Sequence, residues 1–210
     1  MLHKGLFISI EGIDGCGKTT LIEKLVAALK DSDKQVLLTK EPGGSMLGKQ
    51  LREILQQQQE KLDGKAEFLL FAADRAKHFT TTVIPALENG RIVITDRCSD
   101  SSLAYQGYGR FLDKDMIKKV NTWVMQNVVP DIVFYLQLDV TTANERLIKT
   151  RKELTTFEQE TIDFWHRVIQ GYEEIFAHRP DVCKLDACTS PEDVFTQAWN
   201  HLSTYISNGQ

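Results

Sequence analysis

Short apolar runs alternate along the chain with longer segments of helical periodicity. The runs are rich in β-branched residues and lie at residues 6–10, 35–39, 91–95, 132–138 and 182–185. Near-continuous apolarity is typical of strands that are covered on both faces, as in parallel sheets with helical crossovers. The pattern therefore predicts an α/β fold in which a five-stranded, mostly parallel sheet lies between two layers of helices, with right-handed crossovers.

The segments between these runs carry apolar stripes at helical spacing, which predicts amphipathic helices that cover the sheet. They lie at residues 20–30, 65–88, 113–126 and 161–176. The second is expected to be one long helix that ends at Asn89-Gly90 and is kinked or interrupted by Pro85. Pro191 is suited to the first turn of a last helix.

Composition is that of an ordinary globular domain. The chain has 210 residues, 42% hydrophobic and 26% charged, with a formal net charge of −4. This length predicts a single domain over residues 1–210. The negative charge argues against nucleic acid or an anionic membrane as a partner. The longest apolar stretches are strand-sized, well short of the roughly 20 residues of a membrane span.

Residues 1–5 lead into the first strand without the apolar stretch of a signal peptide, so we expect a cytoplasmic protein. The cysteines lie at Cys16, Cys98, Cys183 and Cys188, with no C-x-x-C spacing. Neither a zinc site nor a disulfide framework is indicated. We expect reduced thiols packed in the interior, where free cysteine is usually found.

The most specific motif follows the first predicted strand directly. Residues Gly12-Ile13-Asp14-Gly15-Cys16-Gly17-Lys18-Thr19 match the P-loop pattern G-x4-G-K-[ST], and a helix is predicted from Thr20. Glycines let backbone N–H groups converge on phosphate oxygens at a helix N-terminus. Lys18 would place its charge on the β- and γ-phosphates, and the Thr19 hydroxyl is suited to Mg²⁺. The motif predicts a nucleoside triphosphate site.

Asp96 and Arg97 follow the third predicted strand. The carboxylate could hold a Mg²⁺-bound water and the guanidinium could clamp a second phosphate, which favours a phosphoryl acceptor. A surface ion pair at a strand end is the alternative. The chain has no N-K-x-D base-reading motif, which a GTPase would carry.

Several motifs in a fixed order carry a family resemblance. They are residues 7–20, Glu41-Pro42-Gly43-Gly44, residues 69–75, Asp96-Arg97, Ala104-Tyr105-Gln106-Gly107 and residues 157–160. In this order the chain resembles thymidylate kinase (dTMP kinase). The resemblance implies a P-loop kinase, commonly a homodimer, that transfers the γ-phosphoryl group of ATP to dTMP with Mg²⁺ and forms dTDP.

The same resemblance implies the site residues. ATP would lie on residues Gly12 to Thr20 and Arg146, and the metal beside Thr19 and Asp96. The acceptor site would comprise Asp14, Lys40, Pro42, Arg52, Phe71, Arg75, Arg97, Ser102, Tyr105 and Gln106. Within it, Arg97 and Arg52 would hold the phosphate, Phe71 would stack on thymine, and Arg75 and Ser102 would contact the base. Tyr105 would crowd the sugar 2′ position, and Asp14 would lie near the sugar.

Each of these roles has a structural alternative. Phe71 and Arg75 are spaced i,i+4, so a base could stack on one and bond the other, yet a core phenylalanine beside a surface arginine fits the same spacing. Tyr105 is bulky enough to exclude a 2′-hydroxyl, but a buried tyrosine with a packing role has the same sequence signal.

A cation beyond Lys18 is expected at the transferring phosphate. In one arrangement within the family it is an arginine inside the P-loop, where this chain has Gly15; in the other it comes from a mobile lid. The basic segment 146–152 favours a lid around residues 146–157, with Arg151 as the stabilising cation and Arg146 packed against adenine. A solvated basic helix end is the alternative. The predicted catalytic residues are therefore Lys18, Arg97, Arg151 and Asp14.

The chain departs from the family pattern at Lys40, Cys98 and Thr155-Thr156. Lysine in place of arginine at residue 40 gives up bidentate phosphate geometry. Two other functions stay open at this point: another P-loop nucleoside monophosphate kinase, or a non-catalytic module that binds ATP.

Overall fold

A computed structural model describes residues 4–56, 62–150 and 160–208. Within these ranges the strands are β1 (Leu6–Glu11), β2 (Val36–Lys40), β3 (Ile92–Asp96), β4 (Ile132–Gln137) and β5 (Val182–Asp186). They form one sheet in the order β2-β3-β1-β4-β5, and each adjacent pair is parallel. The predicted fold class is confirmed, and the strand ends differ from the prediction by only one residue.

Helices connect the strands. They are α1 (Lys18–Asp31), α2 (Met46–Gln56), α3 (Gly64–His78), α4 (Ile84–Glu88), α5 (Ser99–Ser102), α6 (Lys114–Val124), α7 (Val140–Thr150), α8 (Ile162–Phe176) and α9 (Pro191–Ser207). Two π-helical segments, Phe79–Val83 and Leu103–Gly109, join α3 to α4 and continue α5. None of the helices in the described ranges combines the length and apolarity that a membrane crossing needs.

The predicted long helix at residues 65–88 is continuous but not uniform. Its interruption is the π-helical segment that ends two residues before Pro85, rather than a kink in the last turn. Proline lacks the N–H that would bond the preceding turn, so the wider π-helical turn accommodates the missing bond. Pro191 does begin α9, as predicted.

Apolar side chains cover both faces of the sheet, which explains the unbroken hydrophobic runs. On one face, Leu25 of α1 and Leu202 of α9 belong to one cluster with Ile8 and Phe134, and the Phe134 ring also contacts His201 of α9. On the other, Phe7 and Val93 pack against Phe79, Val83 and Leu87. Of the cysteines, Cys16 and Cys98 are buried, whereas Cys183 is half-buried and Cys188 is exposed. The expectation of an interior thiol is wrong for Cys188.

The register of the central strands aligns their carboxyl ends. Ile10 of β1 and Lys40 of β2 both lie opposite Asp96 of β3. The backbone N–H of Arg97 donates to the Ile10 carbonyl at 3.0 Å, and that of Glu41 donates to the Asp96 carbonyl at 3.0 Å. The P-loop and the Asp96-Arg97 pair therefore lie side by side at the sheet edge where open α/β sheets bind ligands.

Candidate active site

A cavity of about 1130 Å³ opens at this edge. Among its lining residues are Asp14, Gly15, Gly17, Lys18, Thr19, Thr20, Lys40, Pro42, Arg52, Phe71, Arg75, Asp96, Arg97, Ser102, Tyr105, Gln106 and Arg146. The structure thus brings the predicted donor and acceptor residues to one cavity. Gly12, Ile13 and Cys16 are buried within the loop behind it. Arg151 and Thr155-Thr156 lie outside the described residues.

Left-handed glycine conformations shape the P-loop. Gly15 has φ +82° and Gly17, which precedes α1, has φ +98°. A Cβ at Gly15 would lie 2.7 Å from the Ala143 carbonyl oxygen of α7. Since that separation is far below van der Waals contact, residue 15 has no room for a side chain while α7 is in place.

Lys18 lies over the loop. Its Nζ donates to the carbonyl oxygens of Gly12 at 3.1 Å and Ile13 at 2.9 Å, and lies 3.7 Å from Asp14 Oδ1. The side chain is buried, so solvent screens its charge little and the charge acts on groups bound at the loop. A buried ammonium with carbonyl partners is suited to a phosphate oxygen, which offers it a full opposite charge.

Arg97 joins the end of β3 to the P-loop. Its Nη1 donates to the Gly12 carbonyl at 2.8 Å, and its Nη2 donates to Asp14 Oδ1 at 2.9 Å. Its guanidinium lies 5.0 Å from the centre of the Tyr105 ring. The Asp96-Arg97 pair is therefore no isolated surface ion pair, because the arginine is bonded to the loop that carries Lys18.

Asp96 and Thr19 meet the requirements of a Mg²⁺ site. The Asp96 Oδ1 atom is buried and has no hydrogen-bond partner within the described ranges. The Thr19 side chain is exposed to the same cavity. No cluster of three or more His, Cys, Asp or Glu residues in the described part of the chain could hold a metal alone. Mg²⁺ accepts one or two protein oxygens and completes its shell with phosphate and water, so the residues present fit it.

Arg75 is not the surface arginine of the alternative interpretation. It is 1% exposed, and its Nε donates to Glu41 Oε2 at 2.7 Å. Its Nη1 donates to Ser102 Oγ at 3.1 Å and Asn121 Oδ1 at 2.7 Å, and its Nη2 to the Cys98 carbonyl at 3.2 Å. The guanidinium is thus held in one orientation at the cavity wall, with four of its five N–H groups bonded.

The aromatic acceptor residues have separate environments. Phe71 is half-buried and lines the cavity, so it is not a core phenylalanine. Tyr105 is 7% exposed and packs edge to face against Phe164, Trp165 and Tyr172. Because Tyr105 also lines the cavity, packing and contact with a ligand are compatible roles for this side chain.

Three buried acidic residues were missed in the sequence. Glu41 accepts from Arg75 and lies 3.0 Å from His78 Nδ1; burial opposes ionisation, but the Arg75 charge and the hydrogen bond with His78 outweigh it, so the pKa of Glu41 is lowered. Glu67 accepts from Gln106 at 2.7 Å. Glu11 is fully buried at the end of β1. A signal was present for Glu11 and Glu41: Glu11 directly follows the predicted strand 6–10, Glu41 comes two residues after the predicted strand 35–39, and glycines follow each of them closely.

Asp74 is a fourth buried acid, on the side of α3 that faces α2. A Cβ at Gly48 of α2 would overlap its carboxylate. Its Oδ1 accepts from the Gly43 N–H at 3.4 Å, while its Oδ2 has no partner within the described ranges. Burial and, secondly, the nearby Glu41 charge raise the pKa of Asp74 to about 6. The folded protein therefore binds a proton here that the unfolded chain releases at lower pH.

The substitution Asp74→Asn tests whether the pKa of Asp74 is raised in the folded protein. Because the folded-state pKa is raised, Asp74 contributes stability that is present at low pH and is lost as the pH rises from about 4 to about 6. Between about pH 5 and pH 8 we expect the free energy of unfolding of the parent to fall by on the order of 1 kcal/mol relative to that of the variant. Urea denaturation at both pH values measures the difference. A constant difference would contradict the raised pKa.

Comparisons with known proteins agree with this geometry. The family model described as "Thymidylate kinase" matches residues 10–198. The chain belongs to the thymidylate kinase family. A thymidylate kinase of Halothermothrix orenii is 43% identical over 201 residues, which cover 95% of this chain and 97% of that protein.

Other members of the thymidylate kinase family match over similar lengths. The protein of that name from Acinetobacter baylyi is 40% identical, with 96% of this chain and 100% of the relative covered. The one from Prochlorococcus marinus is 43% identical, with 99% and 100% covered. The resemblance seen in the sequence is thereby confirmed at the level of the family.

Two of the positions at which the sequence is expected to depart from the pattern of the thymidylate kinase family fall within the described residues. Lys40 lines the cavity. Cys98 is completely buried in the cluster with Phe7 and Phe79, and its backbone carbonyl and N–H bond Arg75 and Glu11. Since residue 98 contributes its backbone to the site, its side chain can vary with the packing of the core.

Proposed function

We propose that this protein transfers the γ-phosphoryl group of ATP to dTMP, forming dTDP and ADP, in the cytoplasm, where both nucleotides are available. The observation that carries the proposal is the contact between Arg97 and the P-loop residues Gly12 and Asp14. It places a second cationic centre beside the first, in one cavity. A donor and an acceptor phosphate bound to these two centres would be neighbours, as direct transfer requires.

On the donor side, the backbone N–H groups of residues 12–20 would bind the phosphates of ATP, and Lys18 would place its charge on the transferring group. Arg146 lines the cavity and donates from Nη2 to the Ala187 carbonyl at 2.9 Å, after β5. That anchored guanidinium presents a flat face suited to adenine. Thr19 and Asp96 would hold Mg²⁺, which when bound neutralises negative charge on the phosphates.

On the acceptor side, Arg97 would bind the phosphate of dTMP, with Lys40 and Arg52 adding positive charge. Arg52 is anchored through Nη1 to the Pro42 carbonyl at 2.9 Å. Phe71 would stack on thymine, and the fixed guanidinium of Arg75 would bond its edge, with Ser102 and Gln106 beside it. Tyr105, rigidly packed among aromatic rings, would exclude a ribose 2′-hydroxyl by contact.

A panel of acceptors tests the proposal. ADP release is measured with ATP, Mg²⁺ and each of dTMP, dUMP, UMP, CMP and AMP, and repeated with EDTA. We expect turnover with dTMP well above that with the others, and its loss in EDTA. Equal or better turnover of a ribonucleotide would indicate another nucleoside monophosphate kinase. ATP binding without acceptor-dependent turnover would indicate a binding module.

We further propose that the protein is a homodimer formed through α3 and α6. These helices pack together over Phe68 and Ile117, and they expose Leu69, Met116 and Trp123. Trp123 is 79% exposed. Large apolar side chains grouped on adjacent helices are suited to a second copy of the same surface, which a two-fold axis would bring together. Light scattering at several protein concentrations measures the mass, and a monomer throughout would contradict the proposal.

A further inference from the structure

A buried carboxylate lies directly beneath Arg97. Glu11, the last residue of β1, is completely buried and does not line the cavity. Its Oε1 accepts from the Cys98 N–H at 2.7 Å and from Ser9 Oγ at 3.2 Å. Its Oε2 accepts from Ser101 Oγ at 2.6 Å and from the Tyr172 hydroxyl at 3.1 Å. None of the roles described above uses this carboxylate.

Two hydroxyl groups connect Glu11 to the Arg97 guanidinium. Arg97 Nη1 donates to Ser101 Oγ at 3.2 Å and to the Tyr172 hydroxyl at 3.3 Å. An ionised carboxylate can only accept. Ser101 therefore points its hydrogen at Glu11, and Tyr172 points its hydrogen at Glu11 or at Ser101 Oγ, 2.8 Å away. In either arrangement the oxygen lone pairs face the N–H groups of Arg97.

Glu11 also holds the backbone on which Arg97 lies. Arg97 has φ +72°, a conformation that residues other than glycine rarely adopt. The backbone N–H of Arg97 itself donates to the Ile10 carbonyl, and the N–H of the next residue, Cys98, donates to the Glu11 carboxylate. Two consecutive residues of β1 thus fix the unusual turn from which the arginine side chain extends.

We propose that Glu11 is a positioning residue for Arg97. It fixes the Arg97 backbone through Cys98 and orients the guanidinium through Ser101 and Tyr172. The consequence for function, which rests on the proposed dTMP kinase activity, is that Glu11 sets the affinity for the acceptor phosphate without touching the substrate. The affinity for ATP depends on the P-loop and is much less sensitive to Glu11.

The protonation state of Glu11 determines the pH at which the assays are run. Burial and, secondly, the Asp100 charge raise the pKa of Glu11 to about 7, against the opposing effects of Ser101, Arg97 and the Cys98 N–H. Assays at about pH 8.5 therefore keep the parent carboxylate ionised.

Glu11→Gln is the sharpest test because it keeps the shape and reverses the hydrogen-bond direction. The amide would still accept from Cys98, but its NH₂ group would donate to the two hydroxyls and turn their hydrogens towards Arg97. We expect the KM for dTMP to rise about tenfold or more, with the KM for ATP within about twofold of the parent. Glu173→Gln, which removes a carboxylate bonded to Gln137 and Lys184 outside the cavity, should change neither constant.

A double-mutant cycle with Ser101→Ala separates positioning from general destabilisation. If Glu11 acts through Ser101, the combined variant should lose less dTMP affinity than the product of the two single effects. Multiplicative effects, an unchanged KM for dTMP, or an equal rise in the KM for ATP would each overturn the proposal. Ser101→Ala and Tyr172→Phe also carry the test if Glu11→Gln does not fold, since each alone should raise the KM for dTMP by a smaller factor.

A crystal structure of Glu11→Gln at about pH 8.5 adds a readout that needs no turnover. We expect Arg97 Nη1 to leave Ser101 Oγ. A guanidinium that stays within hydrogen-bond distance of both hydroxyls would overturn the positioning role even if dTMP proved not to be the acceptor. Conversely, a parent that fails to turn over dTMP contradicts the proposed activity, while the displaced arginine in the variant would still support the role of Glu11.

Discussion

Replacing Lys18 by methionine should lower kcat by on the order of 10³, with a smaller change in the KM for either nucleotide. The ammonium is buried, and its described partners, the carbonyls of Gly12 and Ile13, Cys16 Sγ and Asp14, all belong to the loop where the phosphates of ATP would lie. Methionine keeps most of the length of the side chain and removes the ammonium group, with its charge and its N–H donors. Steady-state ADP release at saturating ATP and dTMP measures the loss.

Lys24→Met is the matched control. Lys24 lies on the same helix, but its Nζ is paired with Glu192 at the exposed surface. Such a pair contributes little to stability, and neither residue lines the cavity, so kcat should stay at the parental value. A near-parental rate in Lys18→Met itself, with a parental melting temperature, would contradict the assignment of Lys18 to the transferring phosphate.

Arg151→Ala should cost on the order of 10³ in kcat, the low end of arginine-finger effects. The P-loop cannot supply this cation, since a side chain at Gly15 would meet the Ala143 carbonyl of α7. Arg146, Leu147 and Lys149, near the end of α7, line the cavity. A basic helix end with no role beyond contact with solvent would not need to face the cavity. Arg151 follows α7 directly and lies outside the described residues, so its role is a proposal from the sequence.

The expected pattern in this variant is a large loss of kcat with little change in KM or melting temperature. Arg151→Lys should recover only part of the rate, because a point charge cannot bridge two phosphate oxygens in a fixed fork. Arg146→Ala and Lys149→Ala are the comparison variants. If Arg151→Ala loses less than about threefold while one of these loses far more, the stabilising cation is a different residue.

The acceptor site shows where tertiary structure supplied information that spacing could not. The i,i+4 spacing of Phe71 and Arg75 was compatible with a base site or with a core phenylalanine beside a surface arginine. The partners of Arg75 exclude a surface arginine beside a core phenylalanine. These partners are Glu41, Cys98, Ser102 and Asn121. These lie up to 46 residues away in sequence, and no periodicity relates them.

The fold class, the phosphate-binding loop, the Asp96-Arg97 pair and the family could all be inferred from the sequence. Each of these is encoded locally: strands by unbroken apolar runs, the loop by glycines and lysine at fixed spacing, and the family by motifs in order. The strand order, the π-helical interruption before Pro85, and the burial and partners of Glu11, Glu41 and Asp74 became known only from the tertiary structure. An acid in a sequence is presumed to be solvated, because burying a charge without partners is costly. Here the partners come from distant strands and helices, and Glu11 is bonded to Tyr172 across 161 positions of the chain.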